Sequence, residues 1–196
     1  MSIRQAQDKQ TIIRRLTVWA VIVVGILLIP LFLTIRDGGV EGVGWNWTFF
    51  DFVFMFTLLF GAGVVYELVA RKMNHTAYRL GVGLAVLTAV LLLWVNAAVG
   101  LIGDGDVPNA LYFLVLAIGL IGALMVRFDP RGMSRVLFVV TFAQLLVPVV
   151  ALIIWPPSVT SWSPGVAKVF ILNGFFAALF AGSALLFWRA GEAASH

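Results

Sequence analysis

The chain has 196 residues, of which 62% are hydrophobic and only 11% are charged. Soluble domains average about 45–50% apolar and about 25% charged residues, so this composition excludes an ordinary soluble globule and indicates a protein solvated mainly by the lipid bilayer. The net charge of +4 does not predict a nucleic-acid partner, because the basic residues flank apolar runs and do not form one patch. Cysteine is absent, which excludes disulfides and thiolate chemistry.

Six apolar runs follow one another, each close to the ~20 residues that cross a bilayer as an α-helix. Strands of alternating polarity, which are typical of a membrane barrel, do not occur. The predicted fold is therefore all-α, a polytopic membrane protein built as a six-transmembrane-helix bundle of three helical hairpins. We predict a single transmembrane domain over 1–196, with polar tails at 1–10 and 190–196. The predicted spans are about 16–35, 49–70, 80–102, 111–126, 136–155 and 166–188.

The first run is predicted to be retained as a span. It is longer than the 7–15-residue core of a signal peptide, and no small-x-small cleavage site follows it. The positive-inside rule then predicts the orientation. With six spans, only Arg36 and Lys168 fall on one side of the membrane, and the other 11 of the 13 Lys and Arg residues fall on the opposite side. Both termini are therefore predicted to be cytoplasmic.

Apart from Glu67, four polar side chains interrupt the spans, and such groups usually face protein or water and not lipid. Asp51, Asn96 and Asn173 are placed at similar depth near the outer surface, and Gln144 is placed near the middle of its span. One interpretation is a polar path, an outward-facing vestibule that admits a cation or a small polar solute. The alternative is that these side chains join helices, since interhelical hydrogen bonds contribute about 0.6–2 kcal/mol each.

The turn between the third and fourth spans is acidic and is predicted to face outward. It carries Asp104, Asp106 and Asn109 between two apolar helices. Two carboxylates fall far short of the six to eight oxygen ligands of Ca²⁺, so no metal site is predicted. The alternative role of these residues is to cap the next helix and keep the turn hydrated.

Glu67 is followed four residues later by Arg71, near the inner end of the second span. This spacing predicts an interfacial ion pair on one helix face. A proton or ion gate beside Tyr66 is the alternative.

Small residues recur at every fourth position of the sixth span, at Gly174, Ala178 and Gly182. Such stripes let helices approach closely, so they predict packing and, where the face is left free, a homo- or hetero-oligomer. A weak internal similarity links FMFTLLFGAG (54–63) with GFFAALFAGS (174–183) and is compatible with duplicated hairpins.

Catalytic motifs such as HExxH, GxSxG and the Walker A loop are missing, so neither an enzyme nor a cofactor is predicted.

Three segments carry a resemblance to a known group. They are the stretch from Asp51 through Glu67 to Arg71, the segment WVNAAVGLIGDGDVPNALY, and the inner turn RFDPRGM. Together they resemble a group of uncharacterised bacterial integral membrane proteins, in which the outer turn more often reads like IGSEDNPAN. The resemblance implies a location in the bacterial cytoplasmic (inner) membrane and carries no established activity.

Two functions are compatible with these features. The first is a small carrier or channel-like protein in which Asp51, Asn96, Asn173 and Gln144 line a polar path. The second is a non-catalytic structural or accessory subunit of a larger membrane complex.

Overall fold

The computed structural model describes residues 3–38, 44–103 and 106–194. In these ranges every regular element is a helix, and six helical segments are long and apolar enough to cross a membrane. This confirms the predicted all-α, multi-pass fold. The helices are α1 (Ile3–Arg36), α2 (Phe49–Ala70), α3 (Thr76–Val99), α4 (Asp106–Asn109), α5 (Leu111–Met125), α6 (Pro130–Ile154) and α7 (Val166–Ala193). The fourth span, Val107–Met125, runs through α4 and α5.

Several helices differ from their predicted bounds, because capping and not hydropathy decides where a helix begins and ends. α6 begins at Pro130 and not near 136, since the Asp129 side chain caps it by accepting from the Gly132 N–H at 3.0 Å. α3 begins at Thr76 and stops at Val99, before the predicted end at 102. α1 and α7 extend into the predicted polar tails, since polar residues continue a helix where no breaker intervenes.

The chain divides into two compact units, Met1–Glu67 and Leu68–His196. The first unit holds α1 and all but the end of α2, and the second holds α3 to α7. The predicted arrangement as one bundle of three hairpins stays a prediction.

In the first unit, α1 and α2 run in opposite directions. Near one end, the Trp19 ring packs on Gly63, where a Cβ would lie 2.6 Å from the ring, and meets the Tyr66 ring edge-on at 6.2 Å. Near the other end, the Trp47 N–H donates to Thr34 Oγ1 at 3.3 Å. A glycine is needed opposite Trp19, because the indole occupies the space that any side chain would take.

In the second unit, α7 is the most buried span and packs against α3 and α6. Gly81 of α3 allows a close approach to α7. A Cβ on Gly81 would lie 3.1 Å from Phe187, and Ser183 Oγ donates to the Gly81 carbonyl at 2.7 Å. α5 packs on α6 in the same way, with Gly122 facing Val136. Small residues therefore set the helix spacing, as expected where lipid removes the hydrophobic drive between helices.

The turn between α5 and α6 is held by Tyr78 in the first turn of α3 and by Lys72, which precedes that helix. Arg127 and Phe128 both have positive φ, at 52° and 62°, a conformation that is unfavourable for residues with a side chain. Two donors bind their carbonyls: Tyr78 Oη reaches Phe128 O at 2.9 Å, and Lys72 Nζ reaches Arg127 O at 3.1 Å. Lys72 Nζ also lies 4.5 Å from the centre of the Phe128 ring. This cation–π contact adds to the two hydrogen bonds that hold the turn.

Candidate functional site

A cluster of three polar side chains lies inside the second unit, where α5, α6 and α7 meet. Asn173 is the hub: its Oδ1 accepts from Gln144 Nε2 at 2.9 Å, and its Nδ2 donates to Tyr112 Oη at 3.0 Å. The same Nδ2 also donates to the Val169 carbonyl one turn earlier, at 2.8 Å. Gln144 and Asn173 are fully buried and Tyr112 is 1% exposed. One amide thus joins three helices by hydrogen bonds shielded from lipid.

The cluster has one acceptor without a partner. Among the described residues, nothing donates to the buried Gln144 Oε1. Tyr112 Oη accepts the bond from Asn173, so its own proton is free to be donated elsewhere. Amides do not titrate and a phenol keeps its proton at neutral pH, so these groups bind by hydrogen bonding and are not suited to acid–base catalysis.

A second polar centre closes the turn after α3. Gly100 ends α3 with a φ of 64°, which leaves the next two backbone N–H groups outside the helix. Asn109 Oδ1 accepts from both of them, Leu101 N and Ile102 N, each at 2.9 Å. Leu101 and Ile102 are buried without being helical, which is why an apolar run that predicts a helix to 102 ends earlier.

The same turn docks on the loop between α6 and α7. Gly103 has a φ of 61°, and its N–H donates to the Ser163 carbonyl at 3.2 Å. A Cβ at this position would collide with the Ser161 carbonyl oxygen. Trp162 is buried beside this contact and donates through Nε1 to the Trp155 carbonyl at 2.8 Å. The turn and the loop therefore meet backbone to backbone, which only glycine permits.

Asn96 lies one turn before the end of α3 and reaches the same turn. Its Nδ2 donates to the Asn109 carbonyl at 3.3 Å. Its Oδ1 is buried and finds no donor among the residues that the structure describes. Asn96 thus contributes to the closure of the turn, and its hydrogen bond is to Asn109 and not to Asn173.

In the first unit, Asp51 caps α2. Its Oδ2 accepts from the Thr48 N–H at 2.7 Å and from Thr48 Oγ1 at 2.8 Å. The bond from the Thr48 N–H is one half of a capping box. Asp37 plays a similar role after α1, where it binds Arg36 at 2.7 Å and the Trp45 N–H at 2.9 Å. The Arg36 guanidinium and then this N–H hold the pKa of the Asp37 carboxyl below its ordinary value.

Glu67 forms an ion pair with a residue of α1. Glu67 is buried, and its Oε1 binds Arg15 Nη1 of α1 at 2.6 Å. The pair joins α1 to the last turn of α2. The spacing in the sequence pointed to Arg71 instead. Pairing with Arg71 stays a prediction.

The structure thus brings together two of the four residues predicted for a polar path, Gln144 and Asn173. Sequence reasoning missed Tyr112 and Arg15. Both had a usable signal, because a phenol beside an apolar helix start and an arginine at a span boundary each need a partner. Asp104 and the side chain of Asp106 lie outside the described residues. Within those residues, no three His, Asp or Glu side chains are grouped so that they could hold a metal ion.

The geometry can therefore position helices and turns through buried amides, and it offers two unsatisfied carbonyl-type acceptors, Gln144 Oε1 and Asn96 Oδ1. In comparison with known proteins, no family model matches the chain, and neither a curated protein nor a solved structure matches it.

Proposed function

We propose that this chain is a non-catalytic structural or accessory subunit of a larger membrane complex. The observation that carries the proposal is the bonding of the Asn173 amide. Its oxygen accepts a hydrogen bond from α6, and its nitrogen donates to α5 and to the backbone of its own helix. A side chain used in this way stabilises a bundle and does not present itself to a passing solute.

The proposed partner surface is the small-residue face of α7. Ala178 is exposed, and in the described part of the chain nothing lies within 4 Å of the position that a Cβ on Gly174 would take. Gly182 is already in contact with Leu84 of α3, at 3.4 Å. The outer part of this face, around Gly174 and Ala178, is therefore the part left for another membrane helix.

A small carrier is the second candidate, and it is favoured by the unsatisfied acceptors Gln144 Oε1 and Asn96 Oδ1. A buried carbonyl oxygen without a donor can bind a cation or a polar solute. Asp51, the remaining residue of the predicted polar path, is engaged as the cap of α2.

Flux measurements separate the two functions. In proteoliposomes loaded with Na⁺, K⁺ or glycerol, the structural proposal predicts the same leak as in empty liposomes. Flux above that level that disappears in Gln144→Leu, and persists in Ser158→Ala, would establish the carrier instead. Ser158 is the control because it is exposed in the loop after α6.

We further propose that both termini are cytoplasmic, in a bacterial inner membrane, with three antiparallel hairpins. The supporting observation is the distribution of Lys and Arg along the chain. The absence of cysteine allows single-cysteine labelling without background. With a membrane-impermeant maleimide on intact cells, Ser158→Cys should react, whereas Asn74→Cys should react only after permeabilisation. Both positions are exposed, so the reverse pattern would invert the topology.

A further inference from the structure

A groove of about 480 Å³ opens between the start of α6 and the end of α7. Its volume lies within the usual range of ligand sites, about 300–1,000 Å³. The lining divides into a charged part and an aromatic part, and consists of Arg131, Ser134, Arg135, Phe138, Trp188 and Glu192. Because one helix begins where the other ends, the groove lies at one edge of the membrane-spanning region.

The charged part of the groove contains two arginines one turn apart on α6. Arg131 and Arg135 are exposed, and neither makes a hydrogen bond or ion pair with another described residue. The lining thus holds two guanidinium groups against the single carboxylate of Glu192. The other nearby carboxylate, Asp129, is directed to the Gly132 N–H as the helix cap. Two planar donors without a bound acceptor suit an oxyanion such as a phosphodiester.

Close helix packing sets the position of the first arginine. Gly191 of α7 is buried, and a Cβ on it would lie 2.7 Å from Arg131 Cγ. The Arg131 stem therefore lies against the backbone of α7 at Gly191. Arg135 lies one turn further along α6, about 6 Å deeper at 1.5 Å per residue.

The aromatic part continues the groove toward the apolar core. Phe138 lies one turn beyond Ser134 and is 43% exposed, and Trp188 on the opposite wall is 52% exposed. The stripe continues on α6 with Phe142, which is 63% exposed. Charge at the membrane edge, followed by tryptophan and then by apolar surface, matches a headgroup followed by its acyl chain.

We propose that this groove binds an anionic phospholipid, with its phosphate between Arg131 and Arg135 and its acyl chain along Phe138 and Trp188. Free phosphate shares the headgroup chemistry but leaves the aromatic part of the groove unused, so the lipid is the occupant that the whole lining fits. The site uses residues remote from the Asn173 cluster and holds whether the protein is a structural subunit or a carrier.

Trp188 provides a local reporter. The full-length protein is reconstituted in phosphatidylcholine bilayers, and brominated phosphatidylglycerol or brominated phosphatidylcholine is added to quench tryptophan fluorescence. Subtracting the signal of Trp188→Phe isolates the quenching of Trp188 from that of the other tryptophans. Each arginine near a membrane surface contributes about fivefold in affinity for anionic lipid, so we expect a preference of about 25-fold for the anionic lipid.

The arginine variants test the site itself. Arg135→Gln should lower the preference to about fivefold, and Arg131→Gln with Arg135→Gln should abolish it. Arg189→Gln is the matched control, because it removes an exposed arginine next to Trp188 that does not line the groove. An equal loss in Arg189→Gln would mean diffuse surface charge and would overturn the proposal. So would equal quenching by both lipids in the wild type.

The source of the phosphate is tested in the same samples. Replacing sodium chloride with inorganic phosphate at constant ionic strength should leave the quenching of Trp188 unchanged. If phosphate alone removes the lipid preference, the groove is a site for the free anion and the lipid proposal fails. Unchanged thermal denaturation of each variant verifies that the fold is intact.

Discussion

Gly103→Ala is expected to destabilise the second unit by about 2–6 kcal/mol. The first contribution is strain, since a residue with a side chain at positive φ costs about 1–3 kcal/mol. The second is the collision of the new Cβ with the Ser161 carbonyl oxygen. Forced displacement in a packed region costs typically about 1–3 kcal/mol. The turn would also have to move away from Ser163, whose carbonyl accepts the Gly103 N–H.

Gly165→Ala is the matched control for this experiment. Gly165 has a φ of 117°, but in the part of the chain that the structure describes nothing lies within 4 Å of its Cβ position. It should therefore show the conformational penalty without the collision, about 1–3 kcal/mol. Thermal denaturation in detergent, followed by circular dichroism, measures both. Equal losses in the two variants would show that the turn does not rest on the loop.

Asn173→Leu is expected to lower the free energy of unfolding by about 2–6 kcal/mol. The substitution keeps the side-chain volume similar but removes both hydrogen-bonding atoms. Gln144 Nε2 would then be buried without an acceptor, and Tyr112 Oη would lose its donor. Each buried polar group left without a partner costs about 1–3 kcal/mol. The loss should appear as a lower denaturation temperature, without a change in helix content at low temperature.

A double-mutant cycle with Gln144→Leu tests whether the cluster acts as a unit. Gln144→Leu alone leaves Asn173 Oδ1 without its donor, which lowers stability. It also removes the buried Gln144 Oε1 that has no donor, which offsets part of this loss. Replacing both partners by apolar groups of similar shape is often nearly neutral. The double variant should therefore recover about half of the stability lost in Asn173→Leu, because Tyr112 Oη still lacks its donor. Strict additivity of the two losses would mean that the two amides do not depend on each other.

The number of spans was predictable because hydropathy is a local property. Each run long enough to cross the bilayer is marked by its own residues, independently of what it packs against. The same holds for some local signals near the helix ends. The segment DPRG, residues 129–132, contains the cap and the N1 proline that start α6, although the prediction followed the apolar run and placed the start at 136.

Partner choice was predictable only in part. Asn109 and Asn173 stood out as polar residues in apolar segments, yet their roles differ. One binds backbone within its own turn, and the other joins three helices. The partner of Glu67 found in the structure is Arg15, 52 residues earlier in the chain. Spacing within one helix could not identify that pair, because it depends on how α2 faces α1.

The amino-acid sequence by itself indicated that lipid surrounds most of the chain. It also determined the six helices of membrane-spanning length and the few polar residues that they carry. Tertiary structure alone decided that Tyr112, Gln144 and Asn173 meet, that Gly103 touches the loop after α6, and that Arg131 and Arg135 face Trp188 across a groove. The physical reason is the range of the interactions. Burial in lipid acts on each segment separately, whereas hydrogen bonds and grooves depend on the relative rotation of helices far apart in the chain.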